Sequence, residues 1–247
     1  MRGAFEIAVT AVALAATVTL AQTLDDRKRA RIQVQLGWEQ MTSEKWEGAA
    51  RAFQQAINID RSFEDAYYGL GRANIALKKY VAAIDVLSAC RDLYQARAGR
   101  RFSSQQDAQR YRFDRITELD EQIRQVQSGL PTVQAQELLR QLNTQRRDIQ
   151  NAIQSGNSMT VDATVPPWVR LSLGSAYFRS GRMADAEREY KAAIAADPKF
   201  GEARSNLAVV YSETGRIAEA DAELRAAKKA GFRVNPQLER DIKERLK

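Results

Sequence analysis

Apolar positions recur at helical spacing along most of this chain, and in four places they fall into one register. A small residue is followed 12 positions on by another, 4 later by a bulky one and 3 later by a small one. The sets are Gly37, Ala49, Phe53 and Ala56; Gly71, Ala83, Leu87 and Cys90; Gly174, Ala186, Tyr190 and Ala193; and Ala208, Ala220, Leu224 and Ala227. Within each pair of sets the offset is 34 residues, and a fixed period in this range marks a stacked helical repeat. Each unit reads as two short helices. In the third, Trp168, Val169, Leu171, Leu173 and Tyr177 lie on one helix and Ser180-Gly181-Arg182 breaks it. A second helix then runs from Met183 to Ala196 and stops at Asp197-Pro198, because the residue before a proline avoids the helical region. The fourth unit repeats this with Leu207 and Tyr211, a turn at Thr214-Gly215-Arg216 and a helix from Ile217 to Ala230. The small positions let helices approach closely, and Phe53, Leu87, Tyr190 and Leu224 fill the space between them.

These motifs resemble the tetratricopeptide repeat family, whose pattern runs W-x2-L-G-x2-Y, then A-x3-F, then P. The third unit carries Leu173-Gly174, Tyr177, Ala186, Tyr190, Ala193 and Pro198, and the second Tyr67, Leu70-Gly71, Tyr80, Ala83 and Leu87. The first has Gln40 for the tyrosine and Arg61 for the proline; the fourth has Ala208 for the glycine and Phe232 for the proline. The resemblance implies an all-α helical solenoid built as two repeat pairs. It also implies that the first helix of each repeat lines a concave, protein-binding groove. Carried over by position, that groove comprises Val34, Trp38, Met41, Tyr68, Arg72 and Ile75 in the first pair. In the second pair it comprises Trp168, Leu171, Ser175, Phe178, Arg179, Ser205, Val209 and Ser212. Aromatic residues beside arginine are what binding hot spots are made of, although Ile75 and Phe178 fit an inter-repeat core equally well. Some family members hold a C-terminal carboxylate with a lysine–asparagine clamp. The corresponding positions here include Val34, Trp38, Gly69 and Ser172, so the expected ligands are extended or helical segments with apolar anchors.

Gly174 stands 103 positions after Gly71, one more than three periods, yet neither register of degenerate repeats gives the small and bulky pattern. A heptad seam fits instead: Ile116, Leu119, Ile123 and Val126, with Ser103 and Gln106 as a capping box. Ser128-Gly129 ends that helix before Pro131. A second helix starts near Val133, with Leu138, Leu142, Gln145, Ile149 and Ala152 on a similar seam. Helix, short turn, helix predicts an antiparallel coiled-coil hairpin interrupting the array; a partly helical linker is the alternative. Ser155 to Pro167 reads as a loop re-entering the repeats. Pro236 to Lys247, with Leu238, Ile242 and Leu246 at i, i+4 and i+8, fits the capping helix that a solenoid end needs.

The resulting division is 1–21 as a signal peptide or N-terminal anchor and 30–97 as the first repeat pair. Next come 98–166 as the hairpin insertion and loop, 167–234 as the second pair and 235–247 as the cap. The first segment has Arg2, an uncharged and largely apolar run from Ile7 to Leu20, and Thr19-Leu20-Ala21 as a small-residue cleavage site. That run is the length of a signal-peptide core and short for a membrane span, so the expectation is export to the periplasm or cell envelope with cleavage before Gln22. The alternative is an uncleaved anchor over residues 7–20, favoured by Glu6 and by the basic cluster Arg27, Lys28, Arg29 and Arg31 that follows.

The composition agrees with helix and argues against β-rich or disordered chains, with only 5 prolines and 13 glycines in 247 residues. One cysteine, Cys90, cannot form an internal disulfide and stands where other repeats have alanine, so it is expected to be a buried small residue. No histidine is present, which removes the commonest general base and metal ligand. No phosphate loop, nucleophile elbow or cysteine pair occurs, and Asp120-Glu121 and Glu187 with Glu189 lie among arginines as solvated faces do. The chain is therefore read as non-enzymatic, with no catalytic residue, metal, cofactor or small-molecule substrate expected. The expected partner is a protein or peptide client. An alternative is a homo-oligomer formed through the hairpin, with the repeats as spacer. A weaker one is nucleic acid or an acidic polymer on Arg97, Arg100, Arg101, Arg110, Arg112 and Arg115, interleaved with Tyr111 and Phe113. Helical spacing scatters those residues around the helix. Membrane contact is expected only through residues 1–21.

Overall fold

The computed structural model describes residues 25–98, 101–102, 104–128, 133–155 and 165–246. The segment 1–21 and its apolar run lie outside the described residues, as does most of the re-entrant loop. The described chain is helical: α1 (25–42), α2 (Trp46–Ile59), α3 (Glu64–Ala76), α4 (Tyr80–Arg97), α5 (Gln105–Ser128) and α6 (Val133–Gln154), then α7 (Pro167–Arg179), α8 (Met183–Ala196), α9 (Gly201–Glu213), α10 (Ile217–Lys229) and α11 (Pro236–Arg245). It divides into two compact units. One comprises α1–α3, α4 up to Arg91 and the chain from Val169 onward, and the other is Asp92–Trp168. Among the described residues no helix is long and apolar enough to cross a membrane.

The repeat unit is an all-α array of helix pairs, and its small–bulky register has a direct physical cause. A Cβ built at Gly37 of α1 would fall 2.6 Å from the Phe53 ring of α2, and one at Gly71 of α3 would fall 2.4 Å from Leu87 of α4. At Gly174 of α7 the obstacle is the Tyr190 ring of α8, at 2.7 Å. Each glycine is thus the socket for the bulky side chain 16 positions later. Phe53 has a second socket, because a Cβ at Gly69 of α3 would lie 2.2 Å from the same ring. Around Phe53 a core forms from Ala30, Val34, Ala49, Ala56, Ile57, Phe63, Ala66, Leu70 and Ala73, with Trp38, Met41 and Val86 packed against it. In the second pair Val169, Leu173, Phe200, Leu207 and Val210 are buried in the same manner.

The turns inside the repeats also share a register. Gly181 and Gly215, one period apart, both have φ of +79°, and the corresponding turns of the first pair place Glu44 at +56° and Lys78 at +59°. Two non-glycine residues therefore occupy the left-handed region, where a Cβ crowds the following carbonyl. After each turn an arginine of the second pair folds over a tyrosine: Arg182 lies 4.6 Å from the Tyr177 ring centroid and Arg216 4.1 Å from that of Tyr211.

At the C-terminal end, Asn235 caps α11 by accepting the Gln237 N–H at 2.9 Å, with Pro236 in the first turn. Ile242 is fully buried and Leu238 half-buried, while Leu246 is exposed. The expected stripe therefore stops one turn early, because the helix ends at Arg245 and Leu246 is only its cap. Lys228 of α10 donates to Glu239 at 2.5 Å, which ties α11 to α10, and Lys243 donates to the same residue at 2.6 Å from within α11.

In the second unit α5 and α6 pack together and are joined through only four residues, 129–132, so they run antiparallel. Leu119, Ile123 and Leu142 form a small core with Val126, Leu139 and Ile149 half-buried against it. Arg146 Nη1 donates to Asp120 at 3.0 Å across the pair. Leu138 has a side chain outside the described set. The helix start differs by one residue from the expectation: Ser104 Oγ accepts the Asp107 N–H at 3.1 Å and donates to the Asp107 carboxylate at 2.8 Å. The cap therefore falls on Ser104 and Asp107, and Ser103 lies outside the described residues. Nearby, the Phe102 ring packs at a tilt against Tyr111, with centroids 5.4 Å apart, and Arg112 is buried with its guanidinium 5.7 Å from the Phe102 ring. Arg112 is thus part of the packing, and Phe113 is 57% exposed.

Candidate protein-binding groove

The residues expected to line the groove sit on α1, α3, α7 and α9, and they divide by depth. Val34, Tyr68, Leu171 and Ser205 are buried. Trp38, Met41, Arg72, Ile75, Trp168, Ser175, Phe178 and Val209 are half-buried, and Arg179 is exposed. The most developed patch is aromatic. Trp38 meets Phe53 edge-on, with centroids 5.1 Å apart at 72°, and Tyr68 at 6.0 Å and 46°. Arg72, one turn after Tyr68, donates Nη1 to the Tyr68 hydroxyl at 3.1 Å. Val34 and Trp38 thus owe much of their burial to the Phe53 core. The accessible part of this patch is the outer face of Trp38, Met41 and Arg72.

In the second pair the polar positions are engaged locally. Ser175 Oγ donates to the Leu171 carbonyl at 2.9 Å and accepts from the Tyr190 hydroxyl at 3.2 Å. Burial pushes that phenol up to about 12, so it is a neutral donor under all physiological conditions. Ser212 is covered by the cap helix: Arg245 Nη1 donates to its carbonyl at 3.1 Å and to its hydroxyl at 2.9 Å. The resemblance places Ser212 on the groove, whereas here it is the docking point of the cap; the signal for this is the basic last turn of α11, which reaches the α9 end.

Three of the four carboxylate-clamp positions are filled: Val34 and Ser172 are buried, and the Phe53 ring stands against Gly69. Cys90 is buried, its Sγ 3.5 Å from the Glu64 carbonyl, and burial together with Asp65 and Glu64 holds the thiol well above its ordinary range. It is protonated and shielded, which is the chemistry of a packing residue. Among the described residues no group of three or more carboxylate or thiol side chains is placed to hold a metal ion.

Two family models match this chain, one described as tetratricopeptide repeat over residues 177–238 and one as TPR repeat over residues 41–78. The chain carries tetratricopeptide repeats in both matched stretches. Its repeats define the general class of protein–protein interaction scaffold. Among solved structures it is similar to PilW, described as a widely conserved type IV pilus biogenesis factor, at 18% identity over 88% of this chain and 86% of that one, with a TM-score of 0.40. It is also similar to a thermophilic TPR protein of Thermus thermophilus, at 18% identity over 88% and 98%, with a TM-score of 0.36. YrrB, described as a TPR protein with an unusual peptide-binding site, matches at 15% identity over 86% and 90%, with a TM-score of 0.30. At these values the likenesses carry no argument about function. No curated protein sequence matches the chain.

Proposed function

We propose that this chain is a non-enzymatic scaffold of the cell envelope that holds a client peptide or protein along its first helices, with the α5–α6 pair assisting. The observation that carries the reading is the Trp38–Tyr68–Arg72 patch. An indole and a phenol pack at a tilt, and a guanidinium donates to the phenol, all on the two first helices of one repeat pair. Aromatic groups fixed by their neighbours lose little freedom on binding, and a guanidinium at their edge adds a directional donor. The envelope setting rests on the charge and hydropathy pattern of residues 1–21 and on nothing in the fold.

The test is an affinity capture from the source cell's envelope fraction with residues 22–247. Beside it run Trp38→Ala/Tyr68→Ala and the gentler Arg72→Ala/Arg179→Ala, each checked for native helicity. A client held by the parent chain and lost by both folded variants supports the groove. Equal capture by all three removes it as the client site. A second reading has the α5–α6 pair driving self-association, because among the described residues Val126, Leu139 and Ile149 stay half-covered beside the Leu119, Ile123 and Leu142 core. Light scattering that gives a monomer across micromolar concentrations removes that reading.

A further inference from the structure

We propose that Glu189 is a latch that makes the two repeat pairs one array across the point where residues 92–168 leave and rejoin it. Glu189 lies on α8 and is 2% exposed. Its Oε1 accepts from Arg91 Nη1 at 3.2 Å and its Oε2 from Arg170 Nη1 at 3.1 Å. Arg91 is the last residue of the repeat unit before the excursion, and Arg170 is the second residue after it. One buried carboxylate thus holds the departing and the returning stretch of the chain.

The repeat register separates the local half of this arrangement from the special half. One period after Arg170 and Glu189 stand Arg204 and Glu223, which pair at 2.8 Å between α9 and α10. The Arg170–Glu189 bond is therefore the ordinary bridge between the two helices of one repeat. Arg91 has no such counterpart. At the joint between the first two repeats, the positions matching Arg91 and Glu189 are Ile57 and Val86, which belong to one apolar core. At the joint between the last two repeats they are Ile194 and Glu223. Only the joint interrupted by 77 residues puts a cation at the first position and a buried anion at the second.

Closing such an excursion costs chain entropy that a contiguous joint does not. Apolar packing has no direction and would tolerate slippage of one pair on the other, whereas a buried carboxylate left short of a cation is costly, so it specifies one docking. Arg91 is the residue that acts across the joint. Glu189 is the residue that couples it to the fold of the third repeat.

Amide hydrogen exchange on the full chain tests this, using Glu189→Gln, Arg91→Met and, as the control for a purely local bridge, Glu223→Gln. Glu189→Gln and Arg91→Met are each expected to speed exchange in α4 and α7 at least about tenfold while α2 and α10 change less than about threefold. Glu223→Gln is expected to act on α9 and α10 alone. The proposal is overturned if Arg91→Met leaves α4 and α7 within about threefold of the parent chain, or if the Glu189→Gln pattern is confined to its own repeat as that of Glu223→Gln is. Should Glu189→Gln fail to fold, Arg91→Met decides the question by itself.

Discussion

The Phe53 ring of α2 stands 2.6 Å from where a Cβ on Gly37 of α1 would have to be. The ring is fully buried, so it has nowhere to retreat. Gly37→Ala is therefore expected to destabilise the chain by roughly 1–3 kcal/mol through overpacking. Gly69→Ala, which meets the same ring from α3, should cost about as much. Because both act on one side chain, Phe53→Leu should relieve part of each, and urea midpoints of the three singles and two doubles will show that coupling. Additive losses would mean that the ring is not the shared obstacle.

Tyr190 gives the alkaline limit a residue of its own. Its folded form is the neutral phenol, pushed up to about 12 by burial, whereas an exposed tyrosine ionises near 10.0. An unfolded chain therefore releases this proton first as pH rises. The contribution is fully present below about pH 10 and drains away between about 10 and 12, by on the order of 2–3 kcal/mol. Tyr190→Phe, which keeps the ring and removes the ionisation, should lose little at about pH 8 and unfold less steeply than the parent between about pH 10 and 12. Parallel curves for the two proteins in that window would contradict the assignment.

Left-handed residues offer a gain in stability. Lys78, at φ +59°, occupies the turn position that Gly181 and Gly215 hold in the second pair. Lys78→Gly should raise stability by up to about 1 kcal/mol, the relief of left-handed strain being partly offset by greater unfolded-chain freedom. Gly215→Ala should lower it by roughly 1–2 kcal/mol, although nothing lies within 4 Å of the added carbon. Thermal melts of both proteins check the pair of opposite signs.

Ser104 is the cap of α5, accepting one backbone N–H and donating to Asp107. Ser104→Ala should cost about 1 kcal/mol, felt as faster amide exchange in the first turns of α5 and not in α7–α11. Ser104→Asn should recover most of it, because its amide oxygen can accept the N–H while its NH2 group can donate to the Asp107 carboxylate.

Much of this architecture is legible in the chain itself, and the reasons are particular. The boundaries of α8 coincide with expectation because Gly181 and Asp197-Pro198 punctuate it on both sides. The glycines of the register read as small, and the structure shows that they are sockets for specific side chains 16 residues on, which spacing alone does not distinguish from close backbone approach. The cap of α5 falls one residue from its expected place because Ser103 and Ser104 are both competent and only geometry chooses. The groove is legible as a set of positions but not by depth. Whether Trp38 serves a client or the Phe53 core depends on which face of its ring is covered, and that is fixed by α2 and α3 together. The Arg91–Glu189 contact is out of reach of the sequence, since its partners are separated by 98 residues and no periodicity connects them.

The double socket of Phe53 has a further consequence for what counts as a part of this molecule. With Gly37 on one side and Gly69 on the other, the ring belongs to two neighbouring repeats at once. A cut after α2, at the formal end of the first repeat, would open half of the ring's enclosure to water. The smallest fragment that keeps it closed is α1–α3, one helix more than a single repeat contains, so the period counts residues but does not mark where the chain can be divided.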